Sequence, residues 1–441
     1  MDFKEFNYKS VEDFINEIKE MELDIPFSNN LEHLSEQVNI GDFTLPNRLA
    51  IHPMEGADGK LDGSPDELTI RRYERFSRGG AALIWFEAVA VVPEGRTGPR
   101  QLLIHKDNLS AYQKLCNDIM ENSRKESGYT PLLIMQLTHS GRFSKPEGKP
   151  APIIAAHNPY LDPRLNIDEN YPVISDNELE ELEDKFVEAA VLAKEAGFHG
   201  VDVKCCHRYL NSELVSAFTR KGKYGETFEG RTRFLLNTVK KIKDRLGDDF
   251  IVTTRLNIYD GIPYPYGFGV DKDDYLKPDF TEPLQLVKKL KELGVPLINI
   301  TMGTPYYNPH VNRPYDKGDY IPPEHQLKGI YRLISGIGEI QKNVPDIAVV
   351  GTGYSWPREF APFVAAGVIE KGLATMIGFG RQAFAYPDFA KDILSGNGFD
   401  RKKCCIACGK CAEIKRVGGT TGCVVRDAKV YAPIYKEYCM K

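Results

Sequence analysis

Eight short apolar runs, each separated from the next by a stretch of helical character, recur along this chain. Nothing else in the sequence restricts its fold as tightly. The runs are Leu49–Pro53, Ala82–Phe86, Leu132–Gln136, Gly200–Lys204, Ile251–Arg255, Leu297–Thr301, Ile347–Gly351 and Ala374–Gly378. They are continuously apolar rather than alternating, the pattern of parallel strands buried on both faces. The clearest intervening helix spans 176–196. Leu179, Leu182, Phe186, Ala190 and Ala193 recur near helical period, Ser175-Asp-Asn-Glu178 forms a capping box, and Gly197 stops it. Eight strands alternating with helices predict an α/β fold, a closed (β/α)8 TIM barrel, with a doubly wound open sheet as the competing arrangement. One such barrel holds about 250 residues or more, so 441 residues need not divide into three domains.

Three connections are long: 142–175 with six prolines, 258–283 rich in Tyr, Pro and Gly, and 304–325. All follow strands, so in a barrel they gather at the ligand-binding face and are expected to act as lids. Val11, Phe14, Ile15 and Ile18 have helical spacing and predict a helical arm packed outside the barrel. The expected organisation is an N-terminal extension over 1–38, a barrel over 39–398 and a cysteine-rich tail over 399–441. The net charge of −5 argues against a nucleic-acid-binding surface. No run of about 18 apolar residues occurs, so no membrane-spanning helix is expected. The polar start Met1-Asp-Phe-Lys-Glu-Phe lacks the apolar core of a secretory signal, and the expected compartment is the reducing cytoplasm.

Six of the nine cysteines lie beyond residue 400. Such bunching reads as a metal site rather than a disulfide framework. In Cys404-Cys405-Ile-Ala-Cys408-Gly-Lys-Cys411, followed by Cys423, three cysteines at x2 and x2 spacing can wrap one face of an iron–sulfur cube and the fourth can close it. Cys405, Cys408, Cys411 and Cys423 are the expected ligands of a 4Fe–4S cluster. Cys404 is the alternative first ligand, and a four-cysteine zinc site is the alternative metal. Cys439 reads as a spare thiol, and Cys116, Cys205 and Cys206 are too dispersed for a second site.

The motifs on the strands resemble those of the Old Yellow Enzyme family of FMN-dependent reductases. They are Leu45-Pro-Asn-Arg-Leu-Ala-Ile-His-Pro-Met54, Gly80 to Arg96, Gln136-Leu-Thr-His-Ser-Gly-Arg142, Gly197-Phe-His-Gly-Val-Asp-Val203, Tyr224 to Phe234, and Gly378-Phe-Gly-Arg381 followed by Tyr386-Pro-Asp388. The resemblance covers about residues 38–398, and the late cysteines resemble the branch that includes 2,4-dienoyl-CoA reductase and trimethylamine dehydrogenase. It implies that Gln136 hydrogen-bonds the flavin pyrimidine edge, that Arg255 stabilises the reduced anionic flavin, and that Pro53, Met54, Glu55 and Ala88 line the ring. Glu55 departs from the small polar or sulfur side chain usual there, and an ion pair with Lys204 is one expectation for it. Gly353 and Tyr354, with Gly380 and Arg381, end the seventh and eighth strands, where barrels bind phosphate. The run from Gly378 also fits G-x-G-x-x-A but has no βαβ unit behind it, so it is assigned to the FMN phosphate.

After the fourth strand the family usually reads His-x-x-His/Asn-x-Tyr. Here it is Lys204-Cys-Cys-His207-Arg-Tyr209. The resemblance implies that Lys204 and His207 stabilise negative charge on the substrate oxygen and that Tyr209 protonates the α-carbon. His310 matches a position that assists proton delivery in the dienoyl-CoA reductase branch, with a surface loop histidine as the competing reading. Tyr264, Tyr266, Tyr306 and Tyr307 are candidates for an apolar substrate wall. The expected activity is FMN-dependent reduction of an α,β-unsaturated carbonyl or carboxyl compound. The alternatives are an amine dehydrogenase passing electrons out through the cluster and a non-catalytic electron-relay protein. Relatives in this branch continue into a pyridine-nucleotide-binding half, whereas 18 residues follow Cys423 here. A separate donor (ferredoxin or flavoprotein) or NAD(P)H itself is therefore expected to supply electrons. A homo-oligomer is compatible with the sequence.

Overall fold

A computed structural model describes residues 3–440. They form ten strands: β1 (Val38–Ile40), β2 (Phe43–Leu45), β3 (Leu49–Ile51), β4 (Leu83–Ala90), β5 (Leu132–Thr138), β6 (Gly200–Val203), β7 (Ile251–Asn257), β8 (Leu297–Thr301), β9 (Ala348–Gly351) and β10 (Met376–Phe379). The last eight close into a parallel barrel, with β10 pairing both β3 and β9. Each contains residues of one predicted apolar run, and β4 to β8 are buried along their full length, as two-sided burial in a parallel barrel requires.

The sequence reading did not anticipate the antiparallel hairpin β1–β2, whose turn holds Gly41 at φ +55°. Val38, Ile40 and Leu45 join a buried cluster with Leu83, Leu132, Ile251, Leu297 and Met376, the first residues of five barrel strands. The hairpin thus plugs the N-terminal end of the barrel, and it straddles the expected boundary between 38 and 39. Function is left to the opposite end.

The connecting helices follow local rules. Ser175 caps the helix Asp176–Glu195 through the reciprocal box with Glu178, and Ser10 does the same with Asp13 for Val11–Glu20. Phe14 and Ile18 of that helix are buried. Phe6 meets Trp356 edge-on at 5.4 Å, so the N-terminal arm packs on the outside of the barrel. Asp316 accepts from the Trp356 indole at 2.7 Å, the Phe6 amide at 3.2 Å and Arg358 at 2.6 Å, and its own amide donates to the Ala407 carbonyl at 3.1 Å. One residue of the loop after β8 therefore ties the arm and the segment after β9 together through its carboxylate and the cysteine tail through its amide.

The three long connections follow β5, β7 and β8, at the C-terminal end of the barrel. Fully buried Arg142 anchors the first of them through ion pairs with Asp162 and Glu213. The tail folds as two helices, Lys410–Arg416 and Ala428–Cys439, around Ile414, Val424 and Tyr431. It docks on the barrel through Asp427, which pairs with Arg71 at 2.7 Å and Arg75 at 2.5 Å, and through the Thr421 amide, which donates to the Gly56 carbonyl at 2.7 Å. Among the described residues no helix is long and apolar enough to cross a membrane.

Candidate active site

The barrel's floor is laid by neighbouring strands in register. Ala88 of β4 pairs with Gln136 of β5, which pairs with Asp202 of β6. A register shift between Phe86 and Ala88 is a bulge of the kind that re-aims side chains beside a site. Asp202 is buried and accepts from Gln136 Nε2 at 2.6 Å, Trp85 Nε1 at 2.8 Å and the Arg255 amide at 2.7 Å. Burial pushes its carboxyl up to about 6 while these donors pull it back. A carboxylate only accepts, so Gln136 turns its NH2 to Asp202 and its carbonyl away. Sequence reasoning passed over Asp202. Its signal was a lone acid inside the otherwise apolar run Gly200-Val-Asp-Val.

Arg255, on β7, is buried, and its Nε has no hydrogen-bond partner. Among the described residues it forms no ion pair, so it is not a salt-bridged arginine of the barrel wall. An unpaired buried cation is costly and marks a place shaped for an anion. Met54 lies against the end of β10: a Cβ on Gly380 would come within 2.8 Å of its sulfur. Gly353 has φ +106°. Tyr354 is buried with its ring 6.2 Å from Phe379. Arg381 donates to the Pro314 carbonyl at 2.9 Å.

Lys204, His207 and Tyr209 follow β6 at the same end. The Lys204 ammonium lies 3.8 Å from the centre of the Tyr209 ring. The Tyr209 and Tyr306 hydroxyls are 3.0 Å apart, and Tyr306 stacks on Phe143 at 3.8 Å. Burial, followed by Tyr306 and Glu55, raises Tyr209 well above the ordinary phenol value, so its proton stays on at neutral pH. Burial pushes Lys204 down to about 8. Burial, with Arg255 and Lys204 as neighbours, keeps His207 neutral, and its Nε2 is buried without a partner. His207 and Arg208 both occupy the left-handed region, at φ +64° and +59°, strain of a kind that clusters at functional sites. The Arg208–Asp260 ion pair at 2.9 Å holds that turn.

Glu55 does not pair with Lys204. It forms an ion pair with Lys415 of the tail at 2.9 Å and accepts from the Thr97 hydroxyl at 2.5 Å. Lys204 is too far from it for a contact, and the tail lysine has taken the carboxylate. Burial alone would raise Glu55, but Lys415 and then Lys204 hold it below the usual carboxylate value. Sequence reasoning missed Lys415, which carries no motif. The structure does not bring His310 to Tyr209; its Nδ1 meets the Tyr320 hydroxyl instead. Tyr306 joins the Tyr209 cluster, whereas Tyr266 and Tyr307 gather around Tyr160 and Tyr264 is 38% exposed.

Burial raises Cys405, Cys411 and Cys423 above the ordinary thiol range. Arg381 pulls the first two back, and the thiols, Cys408 among them, act on one another. The Ala407 amide donates to Cys405 Sγ at 3.4 Å and the Arg426 amide to Cys423 Sγ at 3.3 Å. Gly409 between them has φ +75°, and a Cβ there would stand 2.5 Å from the Lys317 carbonyl. The Cys404 thiol instead donates to the Asp400 carbonyl at 3.3 Å. Among the described residues no three His, Cys, Asp or Glu side chains are grouped to hold a metal ion. A 4Fe–4S cluster spreads its thiolates over four irons and asks for wider spacing than one tetrahedral zinc. Soft donors, amide N–H groups aimed at sulfur and adjacent guanidiniums of Arg381 and Arg313 fit such a cluster.

A family model described as the NADH:flavin oxidoreductase / NADH oxidase family matches residues 33–398. An NADH oxidase of Thermoanaerobacter brockii is 29% identical over 388 residues, covering 85% of this chain and 52% of that protein. A cinnamate reductase of Clostridium sporogenes is 26% identical over 428 residues, covering 92% and 59%. The chain thus spans little more than half the length of these curated relatives. A solved structure of 2-naphthoyl-CoA reductase matches with a TM-score of 0.71 at 20% identity, covering 93% of this chain and 58% of that one. An old yellow enzyme homologue from Zymomonas mobilis matches at 0.62 and 20%, covering 84% and 94%. At such identities these two likenesses are of fold.

Proposed function

The chain belongs to the NADH:flavin oxidoreductase / NADH oxidase family, and from that premise we propose that it reduces the C=C bond of an α,β-unsaturated carbonyl or carboxyl compound. In this reading Pro53, Met54, Ala88, Gln136 and Arg255 hold the ring of FMN, and Gly353, Tyr354, Gly380 and Arg381 its phosphate. Cys405, Cys408, Cys411 and Cys423 hold a 4Fe–4S cluster. When bound, FMN supplies hydride chemistry and the cluster single-electron transfer. Arg255, with no carboxylate of its own, offers its charge to the flavin. Gln136, locked by Asp202, presents a carbonyl acceptor.

Lys204 and His207 face the substrate oxygen, where negative charge grows during reduction, and low surrounding polarity strengthens that stabilisation. Tyr209 holds the proton for the α-carbon and delivers it from a hydroxyl positioned by Tyr306. The observation that carries the reading is this buried, protonated Tyr209, hydrogen-bonded to Tyr306 beneath the Lys204 ammonium. Two lysines against one carboxylate, Glu55, also make the pocket unsuited to a cationic amine. NAD(P)H or a separate ferredoxin or flavoprotein supplies the electrons.

The test is anaerobic. The protein is purified, its flavin and iron are measured, and the dithionite-reduced form is offered enones, enoates and amines. Reoxidation of the flavin by an enone or enoate is expected. Bleaching of the oxidised flavin by amines alone, or failure to bind FMN after reconstitution, overturns the reading.

A further inference from the structure

The tail enters the active site at one residue. Helix Lys410–Arg416 starts just after the left-handed Gly409 and carries Cys411 in its first turn. Lys415 follows four residues later, so both lie on one helical face. While Cys411 faces the other cysteines, Lys415 reaches Glu55 at 2.9 Å. The pair is isolated from bulk water on the Glu55 side, whose carboxylate is 5% exposed. Thr97 fixes the other Glu55 oxygen. Lys415 is thereby held at a set position where its charge is felt by Tyr306, the hydrogen-bond partner of Tyr209, and by Lys204.

The charges there do not balance. Lys204 has no carboxylate partner among the described residues; its ammonium rests on the Tyr209 ring at 3.8 Å. Lys415 is paired, but an ammonium has three N–H donors and Glu55 takes one direction only. His207 is neutral, with Nε2 buried and unsatisfied. Two cations therefore face one anion, in a space whose remaining polar group lacks a partner. A neutral enone or aldehyde leaves that excess standing. A carboxylate neutralises it and occupies the free donors of both lysines with charge-assisted hydrogen bonds.

We propose that Lys415 is a specificity-determining residue of the substrate site and that, with Lys204, it binds the carboxylate of an anionic α,β-unsaturated acid. Glu55 is the counter-charge that holds Lys415 in place. This rests on the ene-reductase reading and narrows it from carbonyl or carboxyl compounds to free acids. It also makes the cysteine segment part of the substrate pocket.

The test uses flavin-loaded protein and two probes of the same shape, cinnamate and benzylideneacetone. Dissociation constants are read from perturbation of the oxidised flavin's absorbance, without turnover. In Lys415→Gln the affinity ratio of acid to ketone is expected to fall about tenfold or more, the scale of one lost charge-assisted hydrogen bond. Lys415→Arg is expected to restore most of it. An unchanged ratio, with flavin and iron content intact, overturns the assignment while leaving the ene-reductase reading standing. If Lys415→Gln sheds its iron, Glu55→Gln decides. The amide oxygen of that variant still accepts from Lys415 and keeps it in place while the competing negative charge is gone, so cinnamate binding is expected to tighten, and weaker binding overturns the proposal. If neither probe perturbs the flavin nor reoxidises its reduced form, both readings fall together.

Discussion

The barrel and the cysteine tail build one site by opposite means. In the barrel, Ala88, Gln136 and Asp202 stand on adjacent strands in register, so the backbone ladder that makes the fold also sets their spacing. The tail has no ladder to the barrel. It is seated by the Asp427 ion pairs across 352 and 356 residues of sequence, by the Thr421 amide on Gly56, and by Lys415 on Glu55. Position in the barrel is a property of the chain trace. Position in the tail depends on side-chain contacts. The barrel's half of the site should thus survive loss of the tail's seat, but not the reverse.

The largest effect breaks the tail alone. Cys405→Ser is expected to abolish four-iron binding, measured as iron per chain and by the cluster's absorbance, while flavin content stays near one per chain. Cys404→Ser is expected to keep its iron, because that thiol is already committed to the Asp400 carbonyl. If Cys404→Ser loses the iron and Cys405→Ser keeps it, the ligand set is wrong.

Tyr209→Phe breaks the chemistry in the barrel and nothing else. General acid catalysis contributes about 10² to 10⁴ in rate, and turnover of an enoate with reduced enzyme is expected to fall by that order with flavin and iron retained. Unchanged turnover would remove Tyr209 as the proton donor.

The same contrast explains what was legible in the sequence. The barrel strands announce themselves because burial on both faces leaves continuous apolar runs, and helix Asp176–Glu195 does so because its cap is written within four residues. Gln136 and Tyr209 stand in motifs that single them out, and Arg255 is marked by its place at the end of the run Ile251–Arg255. The hairpin β1–β2 escaped because two three-residue strands around Gly41 carry too little pattern. Asp202 escaped because one acid inside the apolar run Gly200-Val-Asp-Val does not disturb the strand pattern around it. Lys415 had no local signal: its role comes from meeting a residue 360 positions earlier, which only the closed tail brings about. For the same reason the expected Lys204–Glu55 pair was plausible from the strand ends and displaced by a side chain from elsewhere.

A pH profile sharpens the comparison at the point where barrel and tail meet. Lys204 titrates near 8, lowered first by burial and further by Lys415 and Arg255, with Cys206 and Glu55 acting the other way. Its cation is present below that pH and is lost above it. Cinnamate affinity is expected to weaken as pH rises through about 8, by up to about tenfold per unit. Glu55 is held ionised by Lys415 across that range, and burial pushes the Cys206 thiol up to about 11, so neither supplies this limb. Lys204→Arg, charged throughout, is expected to flatten it. A wild-type profile that is flat from neutrality to above 9 would show that Lys204 carries no charge the ligand feels.

The smallest effect tests whether the barrel's parts are as local as their sequence signals. The Ser175 hydroxyl accepts from the Glu178 amide at 3.2 Å, and the Ser175 amide donates back to the Glu178 carboxylate at 2.8 Å. Ser175→Ala removes one side of that box and is expected to cost about 1 kcal/mol, read as a lower urea midpoint with an unchanged slope. Helix Asp176–Glu195 is otherwise held by its buried face, including Leu179, Phe186 and Ala190, so flavin content, iron content and the cinnamate dissociation constant are expected to stay as in the parent. A shift in any of these three would mean that a cap on the outer layer is coupled to the floor of the site through β6, which this helix leads into. The barrel would then be no more modular than the tail.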